Sequence, residues 1–490
     1  MEQQSRELGD TTERAYSVDG RTFAFDAPLT DGVPVGSYVT ITAPGDQGYL
    51  GQVLESTVTP GAGGSTPVLS GRGALLARLV DGAPLPLDGS AVFGDGLVTA
   101  AAPAVVTAHL TAGLGSVSAI ELGRLQQCPE VPALLHAKGF GRHTFMCGQS
   151  GSGKTYTLGV VLERLLLDSD IRIAVIDPNS DYVNLGSVCE EASTSFSEDE
   201  YRSLATRYRS MAQRVHVFGG EGSEKRLRAL FGRLLFRQQS MVLGLDPIAD
   251  AEAYNAFVRI VRSLGTEDYS LDDIMDAIRS SFDDDARRLG LRIDNLGIQN
   301  QSIWAGDDAA VLGQLPGDWR MLVADTGSLP SATEGSIASA ALLTHLWEQR
   351  RSRVPTVIVI DEAHNVCPQN PIDANQALAT EAVVRIAGEG RKFGLYLLLS
   401  TQRPSKVHQN VVSQCDNLLL MKMNSAADLR SLSESFSYAP TGLVELAAGF
   451  GLGEGLAAGK IAPDPLLFKS GSRLTLEGGG DVPSSWAQAR

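Results

Sequence analysis

The distribution of apolar residues divides the chain into two regimes. Over residues 16–110 helical periodicity is scarce, and Gly, Pro, Thr and Val are abundant. Val39-Thr40-Ile41-Thr42 alternates as a half-buried strand does, and 50–55 and 91–93 read as further short strands. Pro44-Gly45-Asp46, Pro60-Gly61 and Asp95-Gly96 read as the turns between them. Short strands at this spacing predict a small β-barrel within 1–130, behind a loose tail and with a long hairpin loop at 57–67.

From residue 131 onward, strands alternate with helices, which predicts a parallel sheet. Continuous apolar runs near 143–147, 171–176, 321–325, 356–360, 395–400 and 417–422 are what strands covered on both faces show. Between about 195 and 320 that signal nearly stops. There Leu227, Leu230, Phe231, Leu234 and Leu235 recur at helical spacing, as do Leu271, Ile274, Met275 and Ile278, so a mainly helical insertion is expected. The first of these helices would carry Lys225, Arg226, Arg228, Arg233 and Arg237, as a solvated basic face or as one that contacts DNA. The expected fold is therefore α/β: the barrel in 1–130, a parallel-rich domain over 131–465 that contains the insertion, and a C-terminal segment over 466–490. Within that segment 473–483 reads as a strap across a neighbouring subunit or as a loose tail.

Composition narrows the picture. A chain of 490 residues exceeds one ordinary core, and 43% apolar with 20% charged residues marks a globular protein. No run reaches the ~18 to 20 apolar residues that span a bilayer. The first ten residues are polar and acidic, unlike a secretory leader, and five scattered cysteines read as reduced thiols, so a cytoplasmic setting is expected. Neither these cysteines nor the seven histidines stand at zinc-ligand spacing. The net charge of −16 argues against a protein that coats nucleic acid, and confines any DNA contact to a local basic strip.

The chemistry begins at Gly148-Gln149-Ser150-Gly151-Ser152-Gly153-Lys154-Thr155, which has the spacing G-x-x-x-x-G-K-[ST]. Its glycines allow backbone N–H groups to close around phosphates. Lys154 can reach the β- and γ-phosphates of ATP, and the Thr155 hydroxyl can bind Mg²⁺. The apolar run before the loop and the helical pattern over 155–167 set the phosphates on a helix N-terminus, which favours anions. The run 356–360 ends in Asp361-Glu362, where Asp361 would act through the metal and Glu362 would orient and deprotonate water. The competing reading is an acidic helix cap. The run 395–399 leads into Ser400-Thr401-Gln402-Arg403-Pro404-Ser405, and Gln402 is a candidate sensor of the γ-phosphate or the water. For the arginine that stabilises the phosphoryl-transfer transition state, Arg391 is preferred to Arg142 and Arg385 because it leads directly into that run. A surface salt bridge is the alternative.

Together these stretches resemble the HerA/FtsK superfamily of DNA-pumping ATPases, and its HerA-like branch in particular. Besides the glycine loop, the resemblance rests on Ile176-Asp177-Pro178-Asn179-Ser180-Asp181-Tyr182, on Val359-Ile360-Asp361-Glu362-Ala363-His364, and on Gly390-Arg391-Lys392-Phe393-Gly394 running to Ser405. Gly36-Ser37-Tyr38-Val39 and Leu50-Gly51-Gln52-Val53-Leu54 are similar to the small barrel that this branch shares with rotary ATP synthases. The resemblance implies a RecA-like ATPase core and a homo-hexameric ring with ATP between subunits. It further implies duplex DNA in the central channel and an arginine supplied in trans, which suits Arg391. The barrel ring would dock a nuclease of the NurA kind, or an effector subunit in antiviral defence. Many relatives carry Gly-Glu where this chain has Ser180-Asp181, so no catalytic role is assigned to Asp181.

Three functions follow from these features. The first is an ATP-driven DNA translocase or helicase that works with a nuclease or effector. The second is an ATP-switched oligomeric platform that activates an effector without pumping DNA. A motor acting at a membrane is disfavoured because no apolar run could span one, and an ABC-type ATPase because no Leu-Ser-Gly-Gly occurs. The loop 403–408, with Lys406, is a candidate pore element.

Overall fold

The computed structural model describes residues 14–28, 33–59, 68–87, 89, 92–115, 118–190, 197–306 and 315–479. The chain divides into two units that do not follow its order. The first comprises the residues up to 139 together with 151–153 and 417–471, and the second comprises 140–150, 154–416 and the residues from 472.

The first unit opens with seven strands: β1 (Arg14–Ser17), β2 (Thr22–Pro28), β3 (Tyr38–Ala43), β4 (Gln47–Thr59), β5 (Val68–Val80), β6 (Ala83–Leu85) and β7 (Phe93–Ala100). Their order is β2-β1-β7-β3-β4-β5-β6, and an additional antiparallel pairing of β2 with β5 closes the first six into a barrel. Alternation puts Val39 and Ile41 inside with Phe23, Phe25, Tyr49, Val53, Leu75 and Val98. The ring of Phe23 lies against two glycines: a Cβ on Gly73 would come within 2.3 Å of it, and one on Gly51 within 2.6 Å. Asp95-Gly96, expected as a turn, lies inside β7, where Gly96 pairs with Ala15 beside a bulge. The tight turn falls at Asp81-Gly82 instead, with φ of 51° and 77°, the left-handed pair that a two-residue hairpin requires. Pro60-Gly61, Ala91, the tail ahead of Arg14 and the chain beyond Gly479 lie outside the described residues.

After helix α1 (Pro103–Leu114) the chain forms the hairpin β8 (Ala119–Leu125) and β9 (Pro132–His136). It then enters the second unit with β10 (His143–Cys147), α2 (Lys154–Asp168) and β11 (Arg172–Asp177). Next come α3 (Glu198–Ala212), β12 (Val215–Phe218), α4 (Phe236–Val242), α5 (Ala251–Leu264), α6 (Leu271–Arg279) and α7 (Asp284–Leu296). Then come β13 (Met321–Asp325), α8 (Ala332–Glu348), β14 (Thr356–Ile360), α9 (Ala363–Val366), α10 (Ala374–Glu389), β15 (Leu395–Thr401) and α11 (Gln409–Val412). Six strands pair in parallel in the order β12-β13-β11-β14-β15-β10. Every residue of β10, β13 and β14 is buried, as the continuous apolar runs predict. Back in the first unit, β17 (Glu454–Gly459) pairs antiparallel with 417–421 of β16 (Cys415–Met421) and with β18 (Leu466–Ser470).

The insertion is mainly helical, but its first expected helix is absent. Residues 227–230 run extended, with Ala229 exchanging backbone hydrogen bonds with Ile303 and Ala305, and the helix starts only at Phe236. Gly232 packs so closely on Glu267 O and Tyr269 that a Cβ would meet the oxygen at 2.3 Å. The apolar spacing therefore serves an irregular core in which Phe231 touches Phe257, Tyr269 and Trp304. Helix α6 does form, with Leu271, Ile274, Met275 and Ile278 on its buried face.

Candidate active site

Strand β10 delivers the glycine loop to the N-terminus of α2. Gly151 and Gly153 have φ of +73° and +84°, conformations that a side chain would strain. Ser152 O accepts the N–H of Gly453 at 2.9 Å, which pins the loop. A Cβ on Gly151 would meet nothing within 4 Å, and among the described residues the buried Ser152 hydroxyl has no hydrogen-bond partner. Gly148 is buried, Ser150 is exposed and Thr155 is half-buried in the first turn of α2. An open, left-handed loop with an unsatisfied hydroxyl ahead of a helix N-terminus fits a phosphate chain.

Lys154 is only 4% exposed and pairs with buried anions. Its Nζ donates to Asp361 Oδ1 and to Ser400 Oγ, each at 2.9 Å, and lies 3.6 Å from Glu362 Oε1. Burial alone would lower the ammonium's pKa, but the two carboxylates reverse that and raise it.

Parallel register explains why these groups meet. Ile360 of β14 is level with Leu399 of β15, and Met146 and Cys147 of β10 are level with Ser400 and Thr401. The glycine loop, the two carboxylates and the residues after β15 all leave the same carboxyl edge of the sheet, where α/β sheets bind ligands. Glu362 turns with φ +42°, a left-handed conformation unusual for this residue type and a mark of local strain. Gln402 Nε2 donates to Glu362 Oε1 at 2.7 Å, and His364 Nδ1 sits 3.2 Å from Oε2 and 3.1 Å from Thr401 Oγ1. Burial pushes the Glu362 carboxyl up, but His364, the Lys154 charge and Gln402 together bring it down to about 2.

The structure thus brings Lys154, Asp361, Glu362 and Gln402 together, with Thr155 one residue along α2. It does not bring Arg391 to them. Arg391 lies in the turn before β15, and that seven-residue strand spans roughly 20 Å, with Ser400 near its far end and Gln402 just beyond it. Its guanidinium is 40% exposed and pairs with Asp416 at 2.6 Å, and Arg142 approaches the same oxygen at 3.4 Å. The sequence motifs assign no role to Ser400, His364 or Tyr182, although all three stand within the stretches that carry the resemblance. Tyr182 is fully buried and its hydroxyl donates to Asp361 Oδ2 at 3.3 Å. The loop that carries it is capped by Asp177, which accepts the N–H groups of Asp181 and Tyr182 at 3.1 and 2.8 Å. Burial nevertheless pushes Asp177 up to about 7.

Residues 120–301 match the family model described as the central domain of helicase HerA. The chain is 32% identical over 117 residues to a DNA double-strand break repair helicase HerA of Sulfurisphaera tokodaii, a stretch of 24% of this chain and 23% of that relative. The chain therefore matches less than a quarter of that relative's length. A probable helicase of Methanocaldococcus jannaschii is similar over 395 residues at 22% identity, covering 74% of this chain and 72% of the relative. Among solved structures, VirB4 of Thermoanaerobacter pseudethanolicus shares the fold at TM-score 0.50 and 18% identity, over 72% of this chain and 96% of that one. These matches bear out the resemblance to HerA-type ATPases and the α/β P-loop fold. The matched central domain contains the glycine loop and α2. Asp361, Glu362, Arg391 and Gln402 lie beyond residue 301 and outside it.

Proposed function

We propose that this chain, whose residues 120–301 match the central domain of helicase HerA, is the ATP-hydrolysing subunit of a DNA translocase or helicase. The observation that carries the reading is Lys154, Asp361, Glu362 and Gln402 gathered at one sheet edge beside a glycine loop. Lys154 exchanges buried carboxylates for the β- and γ-phosphates, so the incoming anion replaces anions already paired there. The Thr155 hydroxyl and Asp361 would hold Mg²⁺, which neutralises phosphate charge and orients the transferring group when bound. Glu362, fixed by Gln402 through one oxygen, orients the attacking water and takes its proton. As Lys154 turns to the phosphates, one of the influences that hold Glu362 acidic is withdrawn, which makes the carboxylate a better base.

Arg391 acts on the nucleotide of an adjacent copy. Its exposure and its distance from the site of its own chain support this assignment. A homo-hexameric ring around duplex DNA, with a nuclease or effector on the barrel ring, completes the proposal, in DNA end processing or antiviral defence. Among the described residues no helix is long and apolar enough to cross a membrane.

Steady-state ATP hydrolysis with and without duplex DNA tests the reading. Turnover should rise with DNA, and Glu362→Gln should bind ATP but lose about 10³-fold in rate. Wild-type turnover in Glu362→Gln would refute the site. Turnover indifferent to DNA, with assembly that follows ATP, would favour a platform that switches an effector.

A further inference from the structure

Glu163 lies in the middle of α2, the helix that begins at Lys154, and it is fully buried. Its hydrogen bonds come from the C-terminal segment of the same chain. It accepts from Leu474 N at 2.7 Å, Thr475 N at 2.9 Å and Thr475 Oγ1 at 2.6 Å, and Arg473 Nε stands 3.6 Å away. Room for that arginine is made one turn earlier by Gly159, where a Cβ would lie 2.5 Å from the guanidinium. Tyr156 Oη accepts the N–H of Arg473 at 3.0 Å, and Leu474 O accepts the N–H of Cys189 at 2.8 Å.

From this anchor the segment runs to the loop that follows β11. Glu477 O accepts from Asn184 Nδ2 at 3.3 Å, and Gly478 N–H donates to Asp181 O at 2.9 Å. Gly478 packs so tightly on Ser180 O that a Cβ would sit 2.0 Å from it. Beyond Ser180 and Asp181 comes Tyr182, whose hydroxyl donates to Asp361. One continuous set of contacts therefore joins the helix after the glycine loop, the C-terminal segment and the carboxylate assigned to the metal. All of it lies within the second unit.

We infer that residues 473–479 are an intrachain positioning strap: anchored on Glu163, they hold Ser180-Asp181 so that Tyr182 fixes Asp361 for the metal-bound nucleotide. The inference rests on the proposed role of Asp361. Tyr182 and Gly478 are positioning residues, because they act through that carboxylate.

Gly478→Ala in the full chain is the test, since it displaces the strap at Ser180 while leaving the Glu163 anchor untouched. Three effects are expected. Amide exchange over 179–184 should quicken, and the tightening of a fluorescent ATP analogue by magnesium should largely disappear. kcat should fall about tenfold while KM for ATP stays within about twofold. Tyr182→Phe should give the same kcat and magnesium phenotype, and the double variant should be no worse than either single one. Wild-type kcat and magnesium response in Gly478→Ala, or losses that multiply in the double variant, would overturn the strap. Failure of the underlying reading looks different, because Lys154→Ala would then bind and hydrolyse ATP like the wild type.

Discussion

At the residue scale the site is a balance of buried charges. Lys154 compensates Asp361 and Glu362, none of which is more than 5% exposed. Lys154→Ala is therefore expected to abolish hydrolysis and also to destabilise the nucleotide-free protein by about 3–5 kcal/mol, because it leaves buried carboxylates without their cation. Denaturant titration without nucleotide measures that loss, and unchanged stability would mean that the carboxylates are not held by Lys154. Asp177 gives a pH signature of the opposite kind. Burial raises its carboxyl from 3.8 to about 7, so the folded chain binds a proton that the unfolded chain has released. Its contribution is fully present below about pH 4 and is lost as pH rises toward 7. Asp177→Asn should flatten this part of the fall in melting temperature between pH 4 and 7, and an undiminished slope would place the proton elsewhere. Lys154, Asp361, Glu362 and Gln402 were legible in the sequence because short motifs carry their chemistry. Tyr182 was not, because it reaches Asp361 across 179 positions of chain, and no local pattern records such a contact.

At the scale of elements, strands buried on both faces announced themselves and irregular segments did not. The runs at β10, β13, β14 and β15 stand where uninterrupted apolar residues put them. β12 is only four residues long and includes His216, too short a run to separate from its helical surroundings. Over 227–235 the spacing of leucines imitated a helix, whereas the pairing of Ala229 with Ile303 keeps 227–230 extended and Phe231–Arg233, with Gly232 close on Glu267 O, make only a single 3-10 turn. In the barrel, Phe23 is the element-level constraint. Gly73→Ala would drive a Cβ into that ring and into Gln52 O, and should cost about 1–3 kcal/mol as overpacking. Thermal unfolding checks this, and a melting point equal to the wild type would mean that the two strands give way freely.

At the scale of the whole molecule, charge and the placement of Arg391 bear on the proposed action between copies. A chain of net charge −16 gains little from a diffuse pull on DNA, so the proposed contact is a narrow basic lining. Stimulation of ATPase activity by duplex DNA should accordingly decline steeply with salt. Stimulation that ignores salt would place the motor's track elsewhere. Arg391 is exposed and roughly a strand's length from the site of its own chain, so the role proposed for it needs a second copy to bring it a phosphate. Mixing inactive subunits tests this most directly. Arg391→Ala and Glu362→Gln should each be inactive alone, while an equal mixture should recover about a quarter of wild-type turnover, because each supplies the other's missing group across a shared interface. A mixture as inactive as its parts, despite forming mixed assemblies, would contradict hydrolysis between copies.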